Sequence, residues 1–159
     1  MATKTLNRII HKNCNFRKFR TIQIGQSLYA LGVGSNQLFE YCNIESGSIR
    51  KFRRADLRVI RSDACLANFD NRVIFLCGGK NPKRKSEVYK SVDMYQIEDD
   101  RWFEAPDLNQ PRYCFSGCTL AYTVFIFCGK TTNGNYINTI ESLPIKSSIN
   151  PYRNGWEEF

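Results

Sequence analysis

The sequence predicts an all-β protein built from about three repeats, each with four short antiparallel strands. Three glycines recur at a regular spacing, because Gly34, Gly79 and Gly129 lie 45 and 50 residues apart. Trp102 and Trp156 lie 54 residues apart. Aromatic residues make up 13% of the chain, and strands favour aromatic and β-branched side chains. A period of ~40–50 residues with four strands per unit is typical of β-propeller blades.

An irregular β-sandwich with a similar number of strands is the alternative fold, although it does not require the recurring glycines and tryptophans. The chain has 159 residues, of which 42% are hydrophobic and 24% charged, and this fits a globular domain with a core. No apolar stretch is long enough for a secretory signal or a membrane-spanning helix. The cysteines number seven, and without an export signal we expect reduced thiols in a cytoplasmic protein.

The first repeat is predicted at about residues 16–57, after a flexible basic lead-in at residues 1–15. Apolar and polar residues alternate in part along its segments, and turn residues such as Gly25 separate them. These patterns predict strands at residues 16–24, 27–34, 37–44 and 49–57.

The second and third repeats follow the same plan at about residues 58–108 and 109–159. In the second, Asp70-Asn71 predicts a tight hairpin turn. Its strands are predicted at residues 63–69, 72–77, 91–97 and 101–104. Those of the third repeat are predicted at residues 112–120, 123–128, 137–145 and 156–159.

The second repeat resembles a Kelch repeat, the four-stranded blade of one family of β-propellers. Its second strand ends in the pair Gly78-Gly79, and Tyr95 and Trp102 follow at the positions of the Kelch aromatic pair. The resemblance implies that the glycines leave room for neighbouring side chains and that the two aromatic residues pack within and between blades.

The other two repeats match the Kelch pattern less completely. The third has Gly129 and Trp156, but Cys128 stands at the first glycine position and Leu143 is nearest to the Tyr position. In the first repeat, residues 32–34 read Gly-Val-Gly instead of a glycine pair, and Lys51-Phe52 stands where Trp is expected. The resemblance over residues 16–159 implies a partial Kelch-type β-propeller.

Kelch domains commonly bind partners through the loops on one face of the propeller. The resemblance therefore implies a non-enzymatic protein-interaction module without a cofactor. The loop between the second and third strands of the second repeat is long and basic, and its equivalent in the third repeat is polar. Arginine pairs with carboxylates and tyrosine provides rigid contact area, so we expect an acidic or phosphorylated peptide as the partner. The candidate residues are Lys80, Lys83, Arg84, Lys85, Tyr89, Lys90, Asn133 and Tyr136.

Nucleic-acid binding through the basic N-terminal third is the alternative function. The net charge is +8, and residues 1–61 carry 12 Lys/Arg against 3 Asp/Glu. Alternate residues of a strand face opposite ways, so these charges would not all form one patch. The residues concerned are Arg50, Lys51, Arg53, Arg54, Arg58 and Arg61.

The sequence offers little for catalysis or metal binding. His11 is the single histidine and lies in the lead-in, away from any candidate nucleophile. Cys114 and Cys118 would lie ~13 Å apart on a strand, too far for one metal ion, and we expect both to be buried structural thiols. The acidic run at residues 98–100 is expected to be solvated.

About three repeats leave a propeller ring open, since propellers have ~4–8 blades. Open ends expose apolar faces and strand edges, which pair with other chains. A fragment of a longer gene product, a partial ring that self-associates and a ring completed by sequence outside this chain are all compatible with this pattern. We expect self-association of the isolated chain, and no membrane partner.

Overall fold

The structure is a computed structural model that describes residues 19–43, 48–145 and 155–159. Within these ranges the chain forms twelve strands and no helix. The strands make three four-stranded antiparallel sheets, in each of which the strands lie in the order of the sequence. The predictions of an all-β fold and of three four-stranded units are therefore confirmed. The predicted lead-in and residues 16–18 lie outside the described residues.

Each sheet is a simple meander. Sheet one consists of β1 Phe19–Ile24, β2 Ser27–Gly32, β3 Leu38–Asn43 and β4 Ile49–Arg53. Sheet two consists of β5 Cys65–Phe69, β6 Val73–Cys77, β7 Val92–Gln96 and β8 Arg101–Ala105. Sheet three consists of β9 Ser116–Leu120, β10 Thr123–Phe127, β11 Ile140–Pro144 and β12 Glu157–Glu158.

Tight turns join the first two strands of sheets two and three. Asp70 and Asn71 have φ values of 50° and 54°, as both central residues of a type I′ turn do. Ala121 and Tyr122 have φ values of 46° and 64°, so the third sheet uses the same geometry without the Asn or Gly that usually favours it. The turn predicted at Asp70-Asn71 is confirmed.

The sheets pack face to face, with their first strands nearest to one another. Strand β5 contacts both β1 and β9. Alternate side chains of β6 serve the two interfaces: Ile74 and Leu76 pack against sheet one, while Phe75 and Cys77 pack against sheet three. All four are fully buried, which explains why β6 is apolar at every position.

The two glycines after β6 are required by close backbone contacts. A Cβ atom on Gly78 would lie 2.7 Å from the carbonyl oxygen of Arg112, and one on Gly79 would lie 2.7 Å from that of Ser62. Both glycines have positive φ, at 53° and 96°. In sheet three Cys128 occupies the place of Gly78 with a φ of 59°, so the backbone plan is kept although the side chain is not.

The two tryptophans join each sheet to the segment that leaves the preceding sheet. Trp102 lies opposite Tyr95 in the register of β7 and β8, and its Nε1 donates to the carbonyl oxygen of Ala55 at 2.9 Å. Trp156 Nε1 donates to the carbonyl oxygen of Pro106 at 2.8 Å. The repeated indole bond therefore fixes sheet two against sheet one, and sheet three against sheet two.

Leu143 and Lys51 stand where the predicted alignment of the repeats put them. The register of β11 and β12 pairs Ser142 with Glu157, and its continuation sets Leu143 opposite Trp156. Lys51 lies opposite Tyr41 in sheet one, in the way that Trp102 lies opposite Tyr95. Sheet one therefore has no tryptophan to make the indole bond.

Two predictions about individual side chains are wrong. Cys114 and Cys118 are exposed, as is Cys128, because they lie on or beside a face of sheet three that neither of the other two described sheets covers. Asp100 is not simply solvated: its Oδ1 accepts hydrogen bonds from Tyr95 Oη at 2.6 Å and from the backbone N–H of Ala55 at 2.8 Å. This carboxylate therefore also joins sheet two to the end of sheet one.

Candidate functional site

Two long loops, β6–β7 and β10–β11, emerge at the same end of their sheets. In a meander the connections alternate between the two ends, so the β2–β3, β6–β7 and β10–β11 loops share an end with the connections between sheets. We call this end the loop end. The opposite end has the short hairpin turns after β1, β5 and β9. The topology thus brings together the loops in which the partner-binding residues were predicted.

A groove of about 320 Å³ lies at the loop end, where the connections of sheets one and two meet. We call it the loop-end groove. Its side chains are two cations, one aromatic ring, one amide and three apolar groups. They are Arg58, Lys83, Tyr89, Asn81, Val59, Ile60 and Pro82.

The loop that carries Lys83 is held by its own hydrogen bonds. Asn81 Oδ1 accepts from the backbone N–H groups of Lys83 at 2.9 Å and Arg84 at 3.1 Å. Asn81 Nδ2 donates to Glu87 Oε2 at 3.0 Å. On the other side, Gly34 has a φ of 75° and lies beside Pro82, where an added Cβ would be in ordinary van der Waals contact with Pro82 Cβ at 3.6 Å. The position of the loop beside sheet one is therefore defined.

Tyr89 is a half-buried side chain of the groove with a cation behind it. The guanidinium carbon of Arg61 lies 5.3 Å from the centre of the Tyr89 ring, within cation–π range. The Tyr89 backbone N–H donates to the carbonyl oxygen of Gly79 at 2.8 Å. Burial, followed by the nearby Glu87, raises the pKa of Tyr89 above its usual value of 10.0. Its hydroxyl is therefore neutral at pH 7.

The two cations of the groove have different electrostatic settings. Arg58 is bound by two carboxylates, with Nη2 at 3.2 Å from Asp93 Oδ1 and Nη1 at 3.1 Å from Glu104 Oε1. The hydrogen bond to Asp93 is the largest cause of the raised pKa of Arg58. Lys83 is exposed and has no ion pair to another residue in the described part of the chain. Lys83 is therefore the cation best able to attract an anion.

Beneath the groove, Arg61 and Asp93 form a buried ion pair. Their side chains are only 1% and 5% exposed, and Arg61 Nη2 lies 2.5 Å from Asp93 Oδ2. Arg61 Nη1 also donates to the carbonyl oxygens of Gly78 at 3.1 Å and Ser91 at 2.8 Å. Burial lowers the pKa of Arg61, yet this pKa starts so high that the side chain stays charged at pH 7. The pair fixes the start of the β6–β7 loop.

Of the residues predicted to bind a partner, Lys83 and Tyr89 line the groove. Three others are held by carboxylates close to them in the fold: Lys80 by Asp63 at 3.1 Å, Arg84 by Glu87 at 3.0 Å and Lys90 by Asp107 at 3.4 Å. Lys85 is exposed at the tip of the loop and does not line the groove.

Asn133 and Tyr136 lie on the neighbouring β10–β11 loop, outside the groove. Both are exposed, Tyr136 to 83%. Lys130 Nζ lies 4.8 Å from the Tyr136 ring centre, and Lys80 Nζ lies 4.3 Å from the Tyr113 ring centre. At the loop end, a lysine that follows β6 of sheet two and a lysine that follows β10 of sheet three thus each lie over a tyrosine ring.

Most of the basic run proposed for nucleic acid is engaged inside the protein. Arg54 is paired with Glu40, Arg53 with Asp56 at 2.7 Å, and Arg58 and Arg61 with Asp93. Lys51 Nζ lies 4.0 Å over the Phe39 ring. The run therefore does not present six unpaired cations on one surface.

The sequence did not point to Val59 and Ile60 as part of a site. They are 40% and 41% exposed, which is unusual for two adjacent apolar residues between Arg58 and Arg61. The sequence feature that could have drawn attention to them is that two adjacent apolar residues lie within a charged connection. No strand or helix periodicity accounts for the pair. Such a pair indicates either a turn against the core or a contact surface, and only the fold separates the two.

The described residues contain no group of three or more His, Cys, Asp or Glu side chains that could hold a metal ion. His11 lies outside them. No helix that could cross a membrane occurs in the same part of the chain.

Comparisons with known proteins give the fold and no function. No protein-family model matches the sequence, and no curated protein matches it. Among solved structures, the structure of YjhT is similar, with a TM-score of 0.67 at 12% sequence identity. The similarity covers 89% of this chain and 44% of YjhT, so the chain spans less than half of the length of that protein. At this identity the likeness is one of fold alone.

Proposed function

We propose that the protein is a non-enzymatic interaction module, a partial Kelch-type β-propeller, whose loop-end groove binds a short acidic segment of a protein partner. The observation that carries this proposal is the composition of the groove. Lys83 offers a positive charge that has no ion pair within the described part of the chain, beside the apolar side chains of Val59 and Ile60 and the ring of Tyr89.

The architectural part of the proposal rests on how the sheets repeat. The first strands of the three sheets lie side by side, as the innermost strands of propeller blades do. The glycine pair after β6, the Tyr95–Trp102 pair and the indole bonds of Trp102 and Trp156 all fit the Kelch pattern. Cys128 has the positive φ of the glycine that it replaces.

The groove favours a ligand with two chemical features. Val59, Ile60 and Pro82 can bury one large apolar side chain, which is worth about 1.5–3 kcal/mol when burial is complete. Lys83 and the outer edge of Arg58 can meet an anion next to that side chain. A carboxylate and a phosphate both satisfy this requirement. We therefore propose a segment with an apolar anchor followed by acidic or phosphorylated residues.

The overall charge of the protein assists such binding. With a net charge of +8, the chain attracts an acidic segment over a distance of about one Debye length, ~8 Å at physiological ionic strength. This attraction acts on the association rate and does not select a site. Selection depends on the match between the groove and the anchor.

A peptide panel tests the proposal. Fluorescently labelled peptides would carry a central Leu or Phe followed by Glu, by phosphoserine or, as a control, by Lys. We expect binding of the acidic peptides, and Lys83→Glu should weaken it by about tenfold, equivalent to ~1.4 kcal/mol. Lys85→Glu makes the same charge change on the same loop outside the groove and should cost no more than about threefold.

Two results would overturn the proposal. One is the absence of binding to every acidic peptide, and the other is an equal loss in the two variants, which would indicate a general field effect. Single-stranded and duplex oligonucleotides belong in the same panel. Tight, steeply salt-dependent binding to them would favour the nucleic-acid alternative.

A further inference from the structure

Sheet three has one face turned away from the rest of the protein. Val124 and Ile126 of β10 are buried against sheet two, and alternation turns Phe125 and Phe127 to the other side. The Phe125 and Phe127 rings are stacked, with their centres 6.4 Å apart. Cys118, which lies opposite Phe125 in the register of β9 and β10, is exposed. We call this surface the outer face of sheet three.

The equivalent face of sheet two is covered by a neighbouring sheet. Its side chains lie between sheets two and three and are 0–2% exposed: Ala67, Phe75, Cys77 and Val92. The register sets equivalent positions on sheet three, where the side chains are exposed or half-buried: Cys118, Phe125, Phe127 and Ile140. A set of side chains that is core in sheet two is therefore only partly covered in sheet three, although Ser142 on the same face is 3% exposed.

The outer face of sheet three is almost without charge. Its outward positions contain one carboxylate and no Lys or Arg, in a chain with 23 of these cations. They are Ser116, Cys118, Leu120, Thr123, Phe125, Phe127, Ile140, Ser142, Pro144 and Glu157. Because two copies of the chain each carry a net charge of +8, their mutual repulsion is least when they meet through an uncharged surface.

Among the described residues, the face of sheet one that points away from sheet two is more deeply buried than the outer face of sheet three. The outward cluster of sheet one contains Ala30, Phe39 and Tyr41, which are 0%, 8% and 3% exposed. Head-to-tail pairing would need both ends to be open, whereas one open face per chain can pair only with itself. Such an interface is isologous and closes as a dimer.

We propose that two copies of the chain pair through the outer face of sheet three, related by a two-fold axis. The face measures about 19 Å by about 17 Å, from four strands ~4.8 Å apart and five residues at ~3.3 Å each. That is about 320 Å² per chain and about 650 Å² for the pair, below the ~1,200 Å² at which specific interfaces begin, so association should be weak, with a dissociation constant on the order of a hundred micromolar. The dimer does not depend on peptide binding, because the loop-end groove belongs to sheets one and two.

Sedimentation equilibrium of the full chain in reducing buffer tests the proposal, since a reductant removes dimers linked by the exposed thiols. From about 10 μM to about 1 mM, a range around the expected dissociation constant, the average mass should rise from one chain towards two and not beyond. Raising the salt should strengthen association or leave it unchanged, because screening reduces repulsion and no ion pair is expected across the interface.

Two variants test the surface. Cys118→Arg places a charge at the centre of the face, and Leu120→Glu alters a side chain that is 68% exposed at its edge. Each should weaken dimerisation by at least about tenfold while circular dichroism shows a folded protein. Phe52→Arg, at a side chain of sheet one that is 39% exposed, should dimerise as the wild type does. A monomer at all concentrations, a mass that grows beyond two chains, or dimerisation that both folded variants leave unchanged would overturn the proposal.

Discussion

Arg112 and Glu141 form an ion pair in which neither side chain is exposed to solvent. Arg112 Nη1 also donates to the carbonyl oxygen of Cys128 at 2.9 Å. In sheet two, Arg61 and Asp93 make the same arrangement, with Arg61 bonded to the carbonyl oxygen of Gly78. Each arginine enters its sheet from the preceding connection and binds the third strand, so it closes the loop end of that sheet.

Removing one member of this pair should be severely destabilising. Glu141→Gln leaves Arg112 as a buried charge without a counter-ion, and we expect a loss of about 3–5 kcal/mol in the free energy of unfolding, measured by urea denaturation. Arg112→Met combined with Glu141→Leu should cost clearly less than the sum of the single changes. Glu104→Gln removes a carboxylate that is 80% exposed and should cost at most about 0.5 kcal/mol. Equal effects of the two Glu→Gln changes would contradict a structural role for the buried pair.

The indole bonds between sheets should contribute measurably to stability. Trp102→Phe removes the bond to the Ala55 carbonyl oxygen and part of the contact with Tyr95, whose ring centre lies 5.1 Å away. We expect a loss of about 1–3 kcal/mol in the free energy of unfolding. The neighbouring Phe103 is 38% exposed, so Phe103→Leu serves as the control and should change stability by less than about 1 kcal/mol. The proposed role of the indole fails if the two variants unfold at the same denaturant concentration.

Cys128 and Gly78 occupy equivalent positions with positive φ. We expect Cys128→Gly and Gly78→Ala to change stability in opposite directions. Cys128→Gly relieves a positive φ, and we expect stabilisation by up to about 1 kcal/mol. Gly78→Ala creates strain and drives a Cβ to within 2.7 Å of the Arg112 carbonyl oxygen. It should therefore destabilise the protein by more than about 1 kcal/mol. Thermal unfolding of the two variants would show shifts of opposite sign, and a shared sign would show that the two sites are not equivalent.

The free energy of unfolding should decrease in alkaline solution because of two buried tyrosine hydroxyl groups. Burial is the main cause that raises the pKa of both Tyr29 and Tyr95 above their usual value of 10.0. The folded state favours the protonated hydroxyl, so its contribution is fully present below pH 10 and is lost as the pH rises further. Tyr95→Phe should make the decline shallower, as followed by denaturant unfolding at several pH values above 9. An unchanged slope in this variant would exclude Tyr95 as a contributor.

The sequence was sufficient for the strands and turns because these depend on local patterns. Alternation, glycine and the Asp70-Asn71 pair are readable within a few residues. The partner of Glu141 could not be predicted in this way, since Arg112 lies 29 residues away and an acid within a strand looks like any solvated charge. The available signal was the recurrence of Arg61 and Arg112 shortly before the first strand of sheets two and three, and of Asp93 and Glu141 in the third strand of each.

The candidate site was predictable only in part. Lys83 and Tyr89 belong to a loop whose length and charge made it a candidate for partner binding. Val59 and Ile60 lie beside them only because the connection between β4 and β5 packs against the β6–β7 loop in the folded protein. The exposure of Cys118 could not be predicted from the sequence either, because its equivalent Ala67 is buried and the difference depends on whether another sheet packs on that face.

A charge-swap cycle at Lys83 is the most direct test of the proposed groove. Isothermal titration would compare wild type and Lys83→Glu, each with an acidic peptide and with a peptide in which Lys replaces the acid next to the apolar anchor. The account predicts that Lys83→Glu loses affinity for the acidic peptide by about tenfold and regains a comparable factor with the Lys peptide. An acidic peptide that binds both proteins equally, or a Lys peptide that gains nothing from the variant, would contradict binding at this groove.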